Sequence, residues 1–225
     1  MARKSRIIIV GSGIVGASTA YHLAQLGWKD MVILDQGPLF ETGGSTSHAP
    51  GGVFQTNPSR MMCKFAQYTV DLLRSLSFEG KPCFHTVGGI EVSKTKERHQ
   101  DLYRKLGIAH SYGLTDAKII TPDEVLKMSP YIDPEKIHGG YYVPTDGLAA
   151  PVRAVRAMAK YVTDLKAGEF FGDTAVNGFK IQNNQIRGVQ TSKGDYEADI
   201  VLVSTGIWAP TVSYTHLTLP TKRIV

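Results

Sequence analysis

A glycine-rich segment near the N-terminus has the residue types and the spacing to bind a dinucleotide. Gly11, Gly13 and Gly16 form the pattern G-x-G-x-x-G between an apolar run, residues 7–10, and a predicted helix over residues 14–26. The first glycine permits a tight turn, the second lets the backbone approach a pyrophosphate, and the third lets the helix pack closely on the strand. We expect the phosphates to lie against the amide groups at the helix N-terminus.

A carboxylate stands where such a site binds the ribose. Asp35 follows the predicted strand 31–34 and lies 24 residues after Gly11. Its oxygens would accept hydrogen bonds from the ribose hydroxyls. Strand, turn, helix and strand in this order predict a βαβ unit, but the pattern fits NAD as well as FAD.

Two further segments belong to this first part of the chain. Residues 41–59 are rich in glycine, serine, threonine and proline and show no helical or strand periodicity. They are predicted to form a loop, and a loop of this length is usually functional or disordered. A helix is predicted over residues 60–75, with Phe65 and Tyr68 in the core.

The alternation of strands and helices stops at about residue 81. A strand is predicted over residues 87–92 and an exposed helix over residues 94–106. A second helix has its own start signal, with Thr121 as N-cap and Glu124 closing a capping box. These elements predict an inserted α+β unit.

The chain then returns to the first sheet. An amphipathic helix is predicted over residues 148–166, followed by three short strands, 174–181, 185–191 and 195–197, with Asn183 and Asn184 as a tight turn. A last buried strand, residues 200–204, ends at Gly206 and would bring that glycine close to the cofactor.

Composition excludes several function classes. The net charge is +5, but the basic residues alternate with acidic ones, as in residues 94–105, so we expect a solvated face and no nucleic-acid partner. No apolar run is long enough to span a membrane, and no signal peptide is recognisable, so a cytoplasmic location is predicted. Cys63 and Cys83 are expected to be two buried thiols, and a disulfide between them is the alternative. No spacing of histidines or cysteines suggests a metal site.

Four segments agree in order and spacing with a known family: GGSTSHAPGGVFQTNPS, VGGIEV, VPTDGLAAP and ADIVLVSTGIWAP. From Ile7 to about Trp208 the chain resembles the FAD-dependent amine oxidoreductases of the dimethylglycine oxidase and sarcosine dehydrogenase group, within the D-amino-acid-oxidase-like superfamily. The resemblance implies an α/β fold, a Rossmann-like FAD-binding domain with an inserted, incomplete α+β substrate domain. The implied boundaries are residues 1–80 and 147–210 for the FAD-binding domain and 81–146 for the insertion.

The resemblance also implies that FAD is attached covalently through His48. In that family the histidine of this segment is bonded to the 8α carbon of the flavin, which a neutral imidazole nitrogen attacks. A loop histidine could instead simply be solvated. By the same resemblance or by backbone contact, the cofactor would also meet Ile14, Val15, Gln36, Ser45, Thr46, Ser47, Gly52 and Val176.

The implied activity is oxidation of the C–N bond of an N-methylated glycine. Oxygen or an electron-transfer protein would be the electron acceptor, and a separate C-terminal domain would bind folate. The catalytic acid or base is expected beyond residue 225, so none is named. Two alternatives stay open: a non-catalytic flavoprotein regulatory subunit of the same superfamily, whose members lack the linking histidine, and an NAD(P)-binding reductase module.

The resemblance ends after Pro210. Residues 211–225, TVSYTHLTLPTKRIV, resemble translated sequencing-adapter sequence and are expected to be a non-native tail. A genuine β-rich C-terminus is the alternative. The chain is accordingly expected to be the N-terminal part of a longer enzyme.

Overall fold

The computed structural model describes residues 3–41 and 43–214. These residues form two compact units. Unit 1 contains the described residues up to Ala49 and from Pro151 onward, and unit 2 contains Pro50–Ala150. Residues 50–80, which the sequence places in the first domain, therefore group with the insertion. Most of the suspected tail, residues 215–225, lies outside the described residues.

The strands are β1 (Arg3–Val10), β2 (Met31–Leu34), β3 (Gly52–Val53), β4 (Ser77–Phe78), β5 (Lys81–Pro82), β6 (Phe84–Thr86), β7 (Gly89–Ser93), β8 (Lys118–Ile120), β9 (Gly139–Val143), β10 (Gly147–Ala149), β11 (Gly168–Phe171), β12 (Val176–Gln182), β13 (Gln185–Thr191) and β14 (Gly194–Val203). The helices are α1 (Ile14–Gln25), α2 (Ser45–His48), α3 (Arg60–Ser75), α4 (Lys96–Ser111), α5 (Pro122–Met128), α6 (Pro151–Asp164) and α7 (Ala209–Tyr214).

Unit 1 is built on a six-stranded sheet in the order β11-β2-β1-β14-β13-β12. Strand β1 pairs in parallel with β2 and β14, and β11 pairs in parallel with β2. Strands β12 and β13 extend the sheet in antiparallel fashion. Because Ile7, Ile8 and Ile9 are all buried, the β1 run is covered on both faces, as its continuous apolar character predicts. The predicted α/β class is confirmed.

Strand β14 differs from its prediction. The segments predicted as 195–197 and 200–204 form one continuous strand, which ends at Val203 and pairs with β13 at its start and with β1 along most of its length. Its end is not fully buried, since Ile200 is 38% exposed and Val203 is 39% exposed. Successive side chains point to opposite faces. Val201 packs against the core around Ile8, whereas Ile200 points to the other face.

The short connections of unit 1 follow local sequence signals. Asn183 and Asn184 join β12 to β13 with φ values of 51° and 57°, as a tight hairpin turn requires. Helices α1 and α6 pack together with the Tyr21 and Tyr161 rings 4.7 Å apart. Residues 41–59 are less irregular than predicted, because they contain the single helical turn α2 and the short strand β3.

Unit 2 has an α+β architecture, as predicted. Its described strands form two antiparallel three-stranded sheets, β7-β9-β8 and β3-β10-β6, and the hairpin β4-β5. The capping box predicted at Thr121 and Glu124 is present at the start of α5. Cys63 and Cys83 are buried and form no disulfide with each other, which confirms the expectation of two thiols.

Helix α3 has its predicted length but not its predicted orientation. Phe65 is 58% exposed and Tyr68 is 53% exposed, whereas Cys63, Val70 and Leu73 are buried. Two helical faces carry apolar side chains, so periodicity alone does not decide which face packs inward.

No helix of the described residues is long and apolar enough to cross a membrane.

Candidate nucleotide-binding site

The glycine turn lies at the carboxyl end of β1. Gly11 has a φ of +104°, and a Cβ placed on it would lie 2.5 Å from the backbone oxygen of Ser204. A Cβ on Gly16 would lie 1.9 Å from the backbone oxygen of Gly11. Only glycine fits these two positions, because any side chain would clash with backbone atoms. The tight turn and the close packing predicted for these glycines are therefore both present.

Asp35 supports this turn from the end of β2. The backbone N–H and the hydroxyl of Ser12 both donate to Asp35 Oδ2, each at 2.7 Å. Both residues are buried, at 8% exposure for Asp35 and 1% for Ser12. The carboxylate thus already has a structural role in fixing the turn. Its predicted contact with a ribose stays a prediction.

The N-terminus of α1 faces the loop that carries α2. The N-cap residue of α1 is Gly13, which has no side chain to accept a hydrogen bond. The N–H of Ile14 instead donates to Thr46 Oγ1 at 2.9 Å. The helix dipole and the free amides at such a terminus favour an anion.

A cleft of about 470 Å³ opens between the glycine turn, the α2 loop and the ends of β1, β2 and β14. This volume lies within the range usual for small-molecule sites. The predicted cofactor-binding residues that line it are Gly11, Gly13, Ile14, Val15, Asp35, Gln36, Ser45, Thr46, Ser47, Val176 and Gly206. Sequence segments far apart along the chain are thereby brought to one edge of the sheet.

Three predicted site residues do not line this cleft. Gly16 is buried behind the glycine turn, where its role is packing. Gly52 belongs to unit 2, where it pairs with Leu148 of β10. His48 is exposed at the end of α2.

The ring of His48 is held by its own helical turn. Its Nδ1 lies 3.2 Å from the backbone oxygen of Gly44 and 3.2 Å from Ser47 Oγ. A carbonyl oxygen can only accept a hydrogen bond, so Nδ1 carries the proton when the ring is neutral. The lone pair of the neutral ring is then on Nε2, the nitrogen with nucleophilic character.

Several lining residues had no place in the sequence prediction, among them Phe40, Thr174 and Thr205. Thr205 Oγ1 is buried and has no hydrogen-bond partner among the described residues. An unpaired buried hydroxyl is costly, so a ligand that supplies a partner would be favoured there. Its position directly before Gly206, at the carboxyl end of a strand, is a signal that could have revealed it. Phe40 carries no comparable signal.

The cleft fits the adenosine and pyrophosphate part of FAD. The glycine cradle leaves room for the pyrophosphate to approach the backbone, the start of α1 offers amide donors, and the buried Thr205 hydroxyl can pair with a ligand. These backbone amides and the hydroxyl carry no formal charge. A helix N-terminus binds phosphate through its dipole and its amide groups.

Unit 2 has a different set of polar groups. Asp146 is 3% exposed, and its Oδ1 accepts two hydrogen bonds from Gln55, one from the backbone N–H and one from Nε2, each at 3.0 Å. Burial raises the pKa of this carboxyl, although the Gln55 bonds oppose the shift. Burial also acts to raise the pKa of Glu91, but hydrogen bonds and charges of Lys105 and Arg98 outweigh it and lower that pKa. No group of three His, Cys, Asp or Glu side chains in the described parts of the chain is placed to hold a metal ion.

Comparison with known proteins identifies relatives that match most of the chain. It is 29% identical over 208 residues to the mouse mitochondrial pyruvate dehydrogenase phosphatase regulatory subunit, covering 92% of this chain and 23% of that protein. It is 30% identical over 212 residues to rat mitochondrial dimethylglycine dehydrogenase, covering 92% of this chain and 24% of that protein. The chain thus spans about a quarter of the length of these relatives.

A solved structure shares the fold. The crystal structure of L-proline dehydrogenase from P. horikoshii superposes with a TM-score of 0.84 and 27% sequence identity, covering 95% of this chain and 56% of that one. The family described as FAD dependent oxidoreductase matches residues 6–225, which include the suspected tail. With the glycine turn, Asp35 and the cleft in place, the chain belongs to this family of FAD-dependent oxidoreductases.

Proposed function

We propose that the chain is the FAD-binding part of an oxidoreductase that oxidises the C–N bond of an N-methylated glycine, of the dimethylglycine or sarcosine type. The observation that carries this proposal is that residues 44–47 line the dinucleotide cleft, while Gly44 of the same segment holds the ring of the adjoining His48. The 30% identity to rat dimethylglycine dehydrogenase supports the substrate class.

Different residues of the chain would bind different parts of FAD. The dipole of α1 and the amides at its start other than that of Ile14, which donates to Thr46, would bind the pyrophosphate. Asp35 would accept from the ribose, and the hydroxyl of Thr205 would pair with a polar group of the cofactor. When bound, FAD supplies the site that accepts a hydride equivalent from the carbon next to the amine nitrogen. The substrate-side acid or base is proposed to lie outside these 225 residues.

Covalent attachment through His48 is part of the proposal. The bond from Nδ1 to Gly44 O fixes the ring and leaves Nε2 as the basic nitrogen. A fixed neutral imidazole is suited to attack the 8α carbon of the flavin. The bond from Nε2 would replace a carbon–hydrogen bond of that methyl group; the flavin ring would take up the two electrons released, and oxygen would reoxidise it. A covalent link would retain the cofactor and change its redox properties.

The partners follow from this chemistry. They are a small amine as substrate and either oxygen or an electron-transfer protein as acceptor, with folate bound by a further domain. The cytoplasmic location expected from the sequence stays a prediction.

The decisive experiment is to express the protein from its complete gene, denature it in acid and measure flavin fluorescence of the polypeptide band on a gel. We expect fluorescence that remains with the protein. His48→Ala should abolish it while FAD still binds reversibly, and His85→Ala, which changes an exposed histidine of unit 2, should leave it unchanged. Fluorescence that washes out of the wild-type protein would overturn covalent attachment.

A second candidate function is a non-catalytic flavoprotein subunit, which the 29% identity to a phosphatase regulatory subunit favours. The two functions are separated by adding dimethylglycine or sarcosine to the flavin-loaded protein without oxygen. Bleaching of the flavin absorbance by either amine supports the enzyme. A flavin that stays oxidised with both amines supports the regulatory subunit.

A further inference from the structure

The helical turn α2 connects two functions that the sequence presents as unrelated. Thr46, at its second position, contacts the N-terminus of α1, and His48, at its fourth, is the proposed attachment residue. The two residues are therefore held by one short piece of backbone. Any change in the position of this turn moves both.

The turn itself is built around the carbonyl oxygen of Gly44. This oxygen accepts from the backbone N–H of Ser47 at 3.1 Å and from Ser47 Oγ at 2.9 Å, and it also receives the bond from His48 Nδ1. These bonds hold the turn together internally. They do not attach it to the glycine turn.

The attachment to the glycine turn comes from Thr46. Its Oγ1 accepts from the N–H of Ile14, and it lies 3.2 Å from the place where a Cβ of Gly13 would be. Because Gly13 has no capping side chain, the threonine hydroxyl takes the position of the missing cap. Its oxygen occupies the place of an anionic oxygen at the helix N-terminus.

The hydroxyl of Thr46 has further bonding capacity. A threonine hydroxyl can accept and donate at the same time. Here it accepts from Ile14, and no acceptor for its proton is present among the described residues. Since Thr46 also lines the cleft, this proton is available to a phosphate oxygen of the cofactor.

We propose that Thr46 is a positioning residue for flavin attachment: its hydroxyl bridges the Ile14 amide and the cofactor pyrophosphate, and thereby fixes α2 so that His48 is presented in one place. The inference rests on the proposed covalent role of His48. It predicts that loss of the hydroxyl slows formation of the covalent bond more than it weakens reversible FAD binding. A charge-assisted hydrogen bond contributes enough to change a rate or an affinity by about tenfold.

The test compares Thr46→Val, which keeps the shape and removes the hydroxyl, with Thr46→Ser, which retains it. Apoprotein is mixed with FAD in air-saturated buffer, because oxygen must accept the two electrons released when an 8α carbon–hydrogen bond is replaced by the bond to His48 Nε2. The covalently bound fraction is followed over time by fluorescence of the denatured protein. Reversible binding is measured separately, by fluorescence quenching, with each substitution combined with His48→Ala. Thr19→Val is the matched control, because it removes a hydroxyl of α1 that donates to the backbone oxygen of Val15 and does not line the cleft.

We expect Thr46→Val to slow attachment by about tenfold or more at saturating FAD, and Thr46→Ser and Thr19→Val to stay near the wild-type rate. Attachment by Thr46→Val at the wild-type rate would overturn the inference. So would a loss in Thr46→Val that disappears entirely when FAD is raised to saturation, since this indicates binding alone. If Thr46→Val does not fold, Thr46→Ala takes its place, and equal attachment rates for Thr46→Ala and Thr46→Ser overturn the inference. A wild-type protein without covalent flavin contradicts the proposed role of His48 instead, so the two failures are distinguishable.

Discussion

Unit 1 offers its cleft mainly backbone amides and small hydroxyls, whereas unit 2 places its ionisable side chains in surface ion pairs and in one buried carboxyl. In unit 1 the charged group nearest the glycine turn, Asp35, is occupied with holding Ser12. In unit 2, Asp146 is buried against Gln55, and Glu91 pairs with Arg98 and Lys105. A dinucleotide is recognised largely by backbone geometry. Binding in unit 1 therefore depends on positions at which no side chain larger than that of glycine fits. In unit 2 the buried carboxyl of Asp146, with its raised pKa, makes stability depend on protonation.

The strongest test of this contrast is Gly16→Ala. The added Cβ would meet the Gly11 carbonyl oxygen at 1.9 Å, so the helix or the turn must move. We expect the free energy of unfolding to fall by about 3 kcal/mol or more, together with loss of FAD binding. Chemical denaturation followed by circular dichroism measures the first effect.

The control for Gly16 is Gly194→Ala. Gly194 has a φ of +109°, but no atom would lie within 4 Å of an added methyl group. This substitution should cost only about 1 kcal/mol, from backbone strain alone. Equal losses at the two glycines would mean that close packing is not what the first one provides.

Asp35→Ala should have the next largest effect. The substitution leaves the buried N–H and hydroxyl of Ser12 without their acceptor, which we expect to lower the free energy of unfolding by about 2 kcal/mol. Asp164→Ala, at an exposed ion pair with Lys160 in the same unit, should cost about 0.5 kcal/mol or less. If Asp35→Ala is as stable as Asp164→Ala, the carboxylate does not stabilise the fold and its role is limited to ligand binding.

Asp146→Asn tests the role of protonation in unit 2. Because burial raises the pKa of Asp146 in the folded state, the folded protein binds this proton more tightly than the unfolded chain does. The carboxyl therefore contributes to stability below its unfolded pKa of about 3.9, and this contribution is lost as pH rises through the folded pKa.

The measurement is the free energy of unfolding of both proteins from acidic to neutral pH. The asparagine variant should become more stable relative to the wild type as pH rises across this range. Asp133→Asn should show the opposite trend, because the hydrogen bond from Lys136 lowers the pKa of this exposed carboxyl of unit 2. A constant difference between wild type and Asp146→Asn would contradict the raised pKa.

The smallest predicted effect has the opposite sign. Gly107 lies inside α4 of unit 2 with nothing within 4 Å of a Cβ. Gly107→Ala should raise the free energy of unfolding by about 0.5–1 kcal/mol, because alanine loses less conformational freedom in a helix. Thermal unfolding of the two proteins in parallel would detect it, and a loss of stability would show that this glycine is required for packing.

The sequence predicted unit 1 better than unit 2 for physical reasons. Strand β1 and α1 are specified by local periodicity. The glycine turn is specified by positions whose backbone geometry accepts only glycine. The orientation of α3 was predicted incorrectly, because side chains such as Phe65 make a second apolar face that the sequence does not distinguish from the buried one. The exposed end of β14 was missed for a related reason, since an apolar run does not show what covers it.

Within the site, residues on the motif were predictable and pairings between distant residues were not. The bond between Thr46 and Ile14 joins positions 32 residues apart, and no spacing rule connects them. The bracing of Ser12 by Asp35 and the unpaired hydroxyl of Thr205 also become visible only when the strands are aligned in one sheet.

The pairing of β1 with β14 at the centre of the unit 1 sheet also determines when this sheet can be completed during translation. Ile7 pairs with Ile200, so the first strand lacks one of its two neighbours until residue 200 has been translated. At ordinary rates of translation this wait lasts roughly 10–40 s. During that time the apolar β1 run exposes an edge to water and to other nascent chains. The contiguous residues of unit 2 can meanwhile complete their own pairings. A ribosome-bound chaperone that covers β1 would therefore be expected to raise the yield of folded protein more than one that acts after release.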